Sequence, residues 1–136
     1  MGKSQLKGSD PFIFGLFYRP EIGSIKFDRN NIIQGRLKMT IAVILELKCQ
    51  SGKGPDLTAA LQSMLGDTRA RQGAEMIEMV VNQDNPDHII VYEKWGTKED
   101  HQAYMGWRQE RGDLDALGGF VSEPPAVTYF DIADPG

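Results

Sequence analysis

The side chains able to do chemistry concentrate in residues 89–112, IIVYEKWGTKEDHQAYMGWRQERG. Glu93 can take up or release a proton. His101 and Tyr104 can act as catalytic acid or base groups, since imidazole titrates near neutrality and a phenol can donate to or hold an oxyanion. Arg108 can hold an anionic substrate oxygen. Trp95 and Trp107 offer flat faces on which an aromatic ligand can stack. Together they suit the walls of a pocket, with Tyr104 and His101 as candidate catalytic residues and Trp95, Trp107, Arg108 and Glu93 as candidate substrate-binding ones.

The spacing says how such a set is positioned. Ile89, Val91, Glu93 and Trp95 alternate, so they share one face of a strand. Thr97 reads as an N-cap with Asp100 three residues on, and Gly112 as a stop. Between them His101, Tyr104, Trp107, Arg108 and Arg111 recur every three or four residues and form one helical stripe. Each residue also has a packing alternative. Trp95 fits a core position as well as a pocket wall, and Tyr104 and Trp107 suit helix-to-sheet contact. His101 lies in the first helical turn, where exposure is expected. Arg108 and Arg111 are expected to pair with Glu110, Asp113 or Asp115. Glu93, Glu46 and Glu78 fall on strands, where a carboxylate needs a partner or carries a raised pKa.

The rest of the chain supplies the scaffold. Residues 40–48 alternate as a first strand, with Ile41, Val43, Leu45 and Leu47 on one face. A turn at Ser51 to Gly54 leads through Pro55 into a helix whose stripe is Leu57, Ala60, Leu61, Met64, Leu65 and Thr68, with Gly73 closing it. Gly66 interrupts that helix and suggests close packing. Residues 74–81 form a second strand of imperfect alternation. A polar turn at 82–87 returns the chain into strand 88–95. After the second helix, Asp113 is expected to cap a short helical turn through Leu114 and Leu117. Phe120 and Val121 extend toward a fourth strand at 126–132. This order, β-α-β-β-α-β, is an α+β ferredoxin-like unit: a four-stranded antiparallel sheet with both helices on one face. The uncovered face predicts a two-fold homodimer, a dimeric α+β barrel.

The Tyr92-Glu93-Lys94-Trp95 strand followed by the Tyr104 helix, within that layout, resembles the antibiotic biosynthesis monooxygenase family over residues 40 to about 132. The resemblance implies a small dimeric α+β barrel and a cofactor-independent, quinol-monooxygenase-like reaction. In it a phenol or anthrone is deprotonated and meets dioxygen directly, the protein supplying orientation, a proton acceptor and exclusion of water. Tyr104 stands where many members of the family carry histidine. Haem-degrading relatives combine a first-strand asparagine with the Trp, and residues 41–48 contain no Asn.

Composition narrows the field. Residues 1–38 hold seven Lys/Arg against three Asp/Glu, and residues 39–136 eight against sixteen, so the formal charges are +4 and −8. The first 38 residues are expected to be an N-terminal arm or a non-native extension before Met39, and 39–136 the ferredoxin-fold domain. A net charge of −4 without long runs argues against nucleic acid. The single Cys49 and two histidines, His88 and His101, exclude an intrachain disulfide and argue against a cysteine or multi-histidine metal site. No phosphate loop or nucleophile elbow is present, so no cofactor and no metal are expected. The apolar run at Phe12 to Phe14 is too short for a membrane span, and a cytoplasmic setting is the default. Three functions fit: a monooxygenase acting on a quinol-like or polycyclic aromatic compound, a non-catalytic ligand-binding or regulatory protein of the same fold, and an isomerase or lyase with a carboxylate or Tyr base.

Overall fold

Four alternating segments become four strands, and two amphipathic ones become helices. A computed structural model describes residues 40–136; the segment read as an arm or extension, 1–38, lies outside the described residues. The strands are β1 (Ile41–Lys48), β2 (Ala74–Val81), β3 (His88–Trp95) and β4 (Ala126–Asp131). The helices are α1 (Gly54–Arg69), α2 (Lys98–Arg111) and the short α3 (Asp113–Gly118). The sheet order is β2-β3-β1-β4 with every neighbouring pair antiparallel, the ferredoxin-like arrangement of an α+β fold.

Register fixes which residues share a face. Ile41 lies opposite Trp95, Val43 opposite Glu93 and Tyr129, and Ile77 opposite Glu93. Those positions face the helices, because period-two alternation puts them on one side. Val43, Leu47, Ile77, Ile89, Val91 and Trp95 meet Leu57, Leu61 and Leu65 of α1, Tyr104 and Met105 of α2, and Leu114 and Leu117 of α3 in one core. Burial of each such side chain contributes roughly 1.5–3 kcal/mol before the cost of ordering the chain. The other face carries Ile44, Ile90, Tyr92, Val80 and Phe130. Val80 and Phe130 are 48% and 46% exposed.

Several local expectations are revised. The imperfect alternation of β2 has a cause: the register shifts between Ala74 and Met76, a bulge at Glu75. Gly66 does not mark close packing, since an added Cβ there meets nothing within 4 Å. The tight glycine is Gly54, where a Cβ would lie on the backbone of Pro86. Gly73 does not close α1, which ends at Arg69 with Ala70 as C-cap. It sits at φ 89° in the turn into β2, a left-handed conformation that glycine adopts at little cost. Asp113 is not a cap either: the N-cap of α3 is Gly112, and no side chain bonds there.

The start of α1 is held from elsewhere in the chain. Lys53 at the N-cap makes no side-chain bond. Instead Asp87, at the end of the polar turn, accepts from the amides of Gly52 and Gly54 at 2.9 and 2.7 Å. A carboxylate at a helix N-terminus satisfies orphan donors and opposes the positive end of the helix dipole.

Candidate functional site

Strand β3 delivers Glu93 and Trp95 to the helix-facing side two residues apart, and the indole Nε1 of Trp95 donates to Oε1 of Glu93 at 2.7 Å. The carboxyl group is 3% exposed, between Val43 and Ile77 on the flanking strands. Burial among apolar neighbours disfavours its ionised form, and the Trp95 hydrogen bond only partly offsets this, so its pKa is raised to about 7. Its Oε2 makes no hydrogen bond among the described residues.

Helix α2 is positioned as its sequence indicates. Thr97 caps it, its Oγ1 accepting from the Asp100 amide at 3.0 Å. Gly112 ends it at φ 84°. Only part of the predicted stripe faces the sheet: His101, Tyr104 and Arg108 are buried together with Gln102 and Met105, whereas Trp107 is half-buried and Arg111 exposed. Tyr104 stacks on Trp95 with ring centroids 5.3 Å apart and 30° between planes. Its hydroxyl turns to the helix layer. Arg108 Nε donates to it at 3.0 Å, and it shares a 2.7 Å hydrogen bond with Thr68 of α1. Burial raises the Tyr104 pKa against the pull of those two bonds.

Arg108 is the polar hub of the layer. Only 1% exposed, it also donates to Asp113 Oδ2, to the Met64 carbonyl at 2.8 Å and to Thr68 Oγ1 at 3.2 Å. Asp113 accepts from Arg111 as well, so the expected arginine–aspartate pairing is present, and the two guanidiniums hold the carboxyl below its usual range.

His101 is where expectation and structure part. Its first-turn position suggested exposure, but it is 1% exposed. The first turn of α2 docks against both Trp95 and β4, which a helical wheel does not show. Trp95 meets the imidazole edge-on at 5.3 Å. Nδ1 bonds the Tyr129 hydroxyl at 2.8 Å, and Nε2 lies 3.6 Å from Glu93 Oε1. Burial lowers its pKa to about 3, so the ring is neutral at physiological pH.

Glu93, Tyr104 and Arg108 line one cavity of about 30 Å³ between sheet and helices, otherwise walled by residues such as Leu45, Leu61, Met64, Met105, Leu114 and Leu117. That is room for water rather than for an aromatic ring. Trp95 stands behind Tyr104 and does not line it. Trp107, half-buried, is also outside it: Arg71, Arg108 and Arg111 lie 4.4, 4.8 and 5.0 Å from its ring. A second, open space of about 320 Å³ lies at the sheet end, lined by Ile41, Thr97, Lys98, Glu99, Tyr129, Phe130 and Asp131. Of the other strand carboxylates, Glu46 bonds His88 Nε2 at 2.6 Å on the opposite sheet face.

Two partners of the candidate site are not evident from the sequence. Thr68 was read as packing, and its hydroxyl proves to bridge Tyr104 and Arg108. Tyr129 was read only as strand, although its alternation with Val127 puts it on the helix-facing side. Among the described residues no cluster of three or more His, Cys, Asp or Glu is placed to hold a metal, and no helix is long and apolar enough to cross a membrane.

The chain is thus an antiparallel four-stranded sheet of the ferredoxin-like α+β class that carries Glu-x-Trp at the end of β3, under a helix whose Tyr104 stacks on that Trp. The chain belongs to the antibiotic biosynthesis monooxygenase family, whose model matches residues 40–109, just over half of its length. Among solved structures it resembles Rv0793 from Mycobacterium tuberculosis, at 21% identity and TM-score 0.62 over 71% of this chain and 98% of that one. It is also similar to protein SO0527 from Shewanella oneidensis, at 22% identity and TM-score 0.62, covering 70% and 92% of the two chains. A putative antibiotic biosynthesis monooxygenase from Nitrosomonas europaea matches at 17% identity and TM-score 0.60, over 72% and 94%. At these identities the likeness is one of fold. No curated protein matches the chain.

Proposed function

We propose that the protein is a cofactor-independent monooxygenase that oxidises a quinol-like or polycyclic aromatic substrate with dioxygen. The observation that carries this reading is Glu93: a buried carboxyl with a pKa of about 7, forming an acidic wall of a largely apolar cavity. A base poised near the working pH combines a useful ionised fraction with a real driving force for proton transfer. The Glu93 carboxylate takes the acidic proton of a phenol or anthrone, and the bonding pair stays on the substrate as an electron-rich anion. With an anthrone, the ring methylene becomes a carbonyl, one oxygen atom of dioxygen is retained and the other leaves as water, which carries off both methylene protons, including the one held by Glu93. The substrate supplies all four electrons, so no other reductant is needed.

The remaining residues have supporting parts. Arg108 and Thr68 hold the Tyr104 hydroxyl beside the cavity, where it can donate to a substrate oxygen after a small rotation. Trp95 keeps the Tyr104 ring in place and the Glu93 carboxyl oriented. His101, neutral, adds no competing charge. Admission of an aromatic ring requires the wall to yield, and the half-buried Met64, unbranched and adaptable, is the side chain suited to move.

The functional form is a homodimer joined through the sheet face opposite the helices. Exposed Val80 and Phe130 support this, with Ile44, Ile90 and Tyr92 beside them. Sedimentation at micromolar concentration should show a species of twice the 15.2 kDa chain mass; a monomer alone would remove this part of the reading.

The test of activity is oxygen uptake with a panel of hydroquinones and anthrones, without added flavin or metal. Uptake with at least one, slowed on the order of a hundredfold or more in Glu93→Gln, is expected; uptake by neither protein overturns the reading. A second reading, a non-catalytic binder of a small hydrophobic ligand, is favoured by the full engagement of the Tyr104 hydroxyl with Arg108 and Thr68. It predicts saturable binding of the same compounds with no oxygen consumed.

A further inference from the structure

The Glu93 carboxyl is 3% exposed and has to be ionised before it can take a substrate proton. In the anthrone reaction that proton then ends in the product water, so what the resting protein needs is a way for the carboxyl to reach protonation equilibrium with solvent. The contacts around it supply a way out. His101 presents Nε2 to Glu93 Oε1 at 3.6 Å and Nδ1 to the Tyr129 hydroxyl at 2.8 Å. Tyr129 in turn lines the open space of about 320 Å³ at the sheet end. Lys98 lies 4.9 Å over the Tyr129 ring, where its charge favours electron density on the phenolic oxygen. Two carboxylates, Glu99 and Asp131, line the same space.

We propose that His101 and Tyr129 form a proton path joining Glu93 to this open space. The proposal rests on the reading of Glu93 as the proton acceptor. Imidazole is suited to such a step because it can accept at one nitrogen while releasing from the other. Starting with the ring proton on Nδ1, Glu93 passes its proton to Nε2 as Nδ1 passes its own to the Tyr129 oxygen. Tyr129 releases its original hydroxyl proton to water in the open space. The outcome is a Glu93 carboxylate, a neutral imidazole protonated on Nε2, an intact Tyr129 hydroxyl and one proton in solvent. Neither His101 nor Tyr129 carries a lasting charge, which suits the burial of His101. The 3.6 Å gap exceeds a hydrogen bond, and closing it takes a shift of roughly 0.5 Å. His101 and Tyr129 are positioning and relay residues here: neither lines the cavity.

Among the described residues, the titratable and charged groups in contact with Glu93 or sharing its cavity are His101, Tyr104 and Arg108, all from α2. Tyr104 is bonded away toward Arg108 and Thr68. Arg108 is tied to Asp113, Met64 and Thr68. His101 is the one of the three whose other polar atom leads toward the open space.

The experiment needs no substrate and no turnover. Trp95 donates to Glu93, so its emission reports the protonation of that carboxyl; Trp107→Phe removes the other indole. In ligand-free Trp107→Phe protein, Trp95 emission is titrated with pH. Its relaxation is then timed after a photochemically triggered pH jump. The same is done with Tyr129→Phe added, which keeps the ring and removes only the hydroxyl. Expected is an unchanged titration midpoint with a relaxation at least tenfold slower. A relaxation rate equal to the parent's overturns the path, and so does the absence of any Trp95 titration between about pH 5 and 9. If Tyr129→Phe fails to fold, as judged by circular dichroism, His101→Gln replaces it, with the same slowing expected and the same equality overturning the idea. A lack of oxygen uptake with quinols sinks the monooxygenase reading but leaves this measurement untouched.

Discussion

Trp95 and Glu93, two residues apart on one strand, are joined by a 2.7 Å hydrogen bond from the indole to the carboxyl group. The bond stabilises the ionised form, yet burial outweighs it. The carboxyl remains protonated up to about pH 7, against 4.5 ordinarily. An unfolded chain therefore gives up this proton first as pH rises. Glu93 lowers stability progressively from about pH 4.5 to about 7, and its full cost persists above that. At about 1.4 kcal/mol per pKa unit, the cost is on the order of 3 kcal/mol. His101 works in the opposite sense: buried and neutral, with a pKa near 3 rather than 6.5, it costs stability as pH falls from 6.5 toward 3. Glu93→Gln retains an acceptor for Trp95 and removes only the titration. Its stability advantage over the parent should grow between about pH 4.5 and 7 in urea unfolding. A difference that is the same at every pH would show that Glu93 does not titrate in this range.

Tyr104→Phe keeps the stack on Trp95 and leaves Arg108 Nε and Thr68 short of a partner. A buried donor deprived of its acceptor costs roughly 1–3 kcal/mol, which thermal unfolding will show as a lowered Tm. Oxygen uptake should fall less than in Glu93→Gln, where loss of the base removes on the order of a hundredfold or more. If Tyr104→Phe is instead the more damaging of the two, the phenol and not the carboxyl handles the proton.

Gln102 is 5% exposed, and neither side-chain amide atom is hydrogen-bonded among the described residues. Burying such a group without partners is unfavourable. Gln102→Met, similar in shape and without the amide, should raise the denaturation midpoint by an amount equivalent to about 1–3 kcal/mol. A lowered midpoint would mean that bound water satisfies the amide.

Two glycines near α1 should respond in opposite directions. Gly66→Ala adds a methyl into open space within a helix and should stabilise by up to about 1 kcal/mol. Gly54→Ala forces its Cβ onto the Pro86 backbone, which cannot give way without moving the polar turn, so a marked loss of Tm is expected. Melting curves for both variants decide the matter, and a stable Gly54→Ala protein would be the informative failure.

Much of this was legible because it is local. The alternation at Ile89, Val91, Glu93 and Trp95, the Thr97 cap and the Gly112 stop depend on neighbours within a turn or two, and each appears where its spacing put it. Asp113 shows the limit of that reasoning. A carboxylate opening a short helix reads as a cap, but two arginines in the last turns of α2 compete for it and win. His101 was misread for a longer-range reason, since its burial depends on Tyr129 arriving on β4. Thr68 became a bridging residue only because α1 crosses close to Arg108. The cavity is illegible in the same way: its walls come from α1, α2, α3, β1 and β3, and Trp95 is displaced from them by the ring of Tyr104.

The Asp87 carboxylate carries a consequence for how the chain folds. It sits at the end of the β2–β3 turn, yet it receives the amides of Gly52 and Gly54 at the entry to α1, a helix made earlier in the chain. The opening turn of that helix therefore stays incomplete until the β2–β3 hairpin has closed and docked, and the two elements acquire their final protection as one cooperative unit. Amide exchange at Gly52 and Gly54 is thereby a clock for hairpin docking rather than for helix formation.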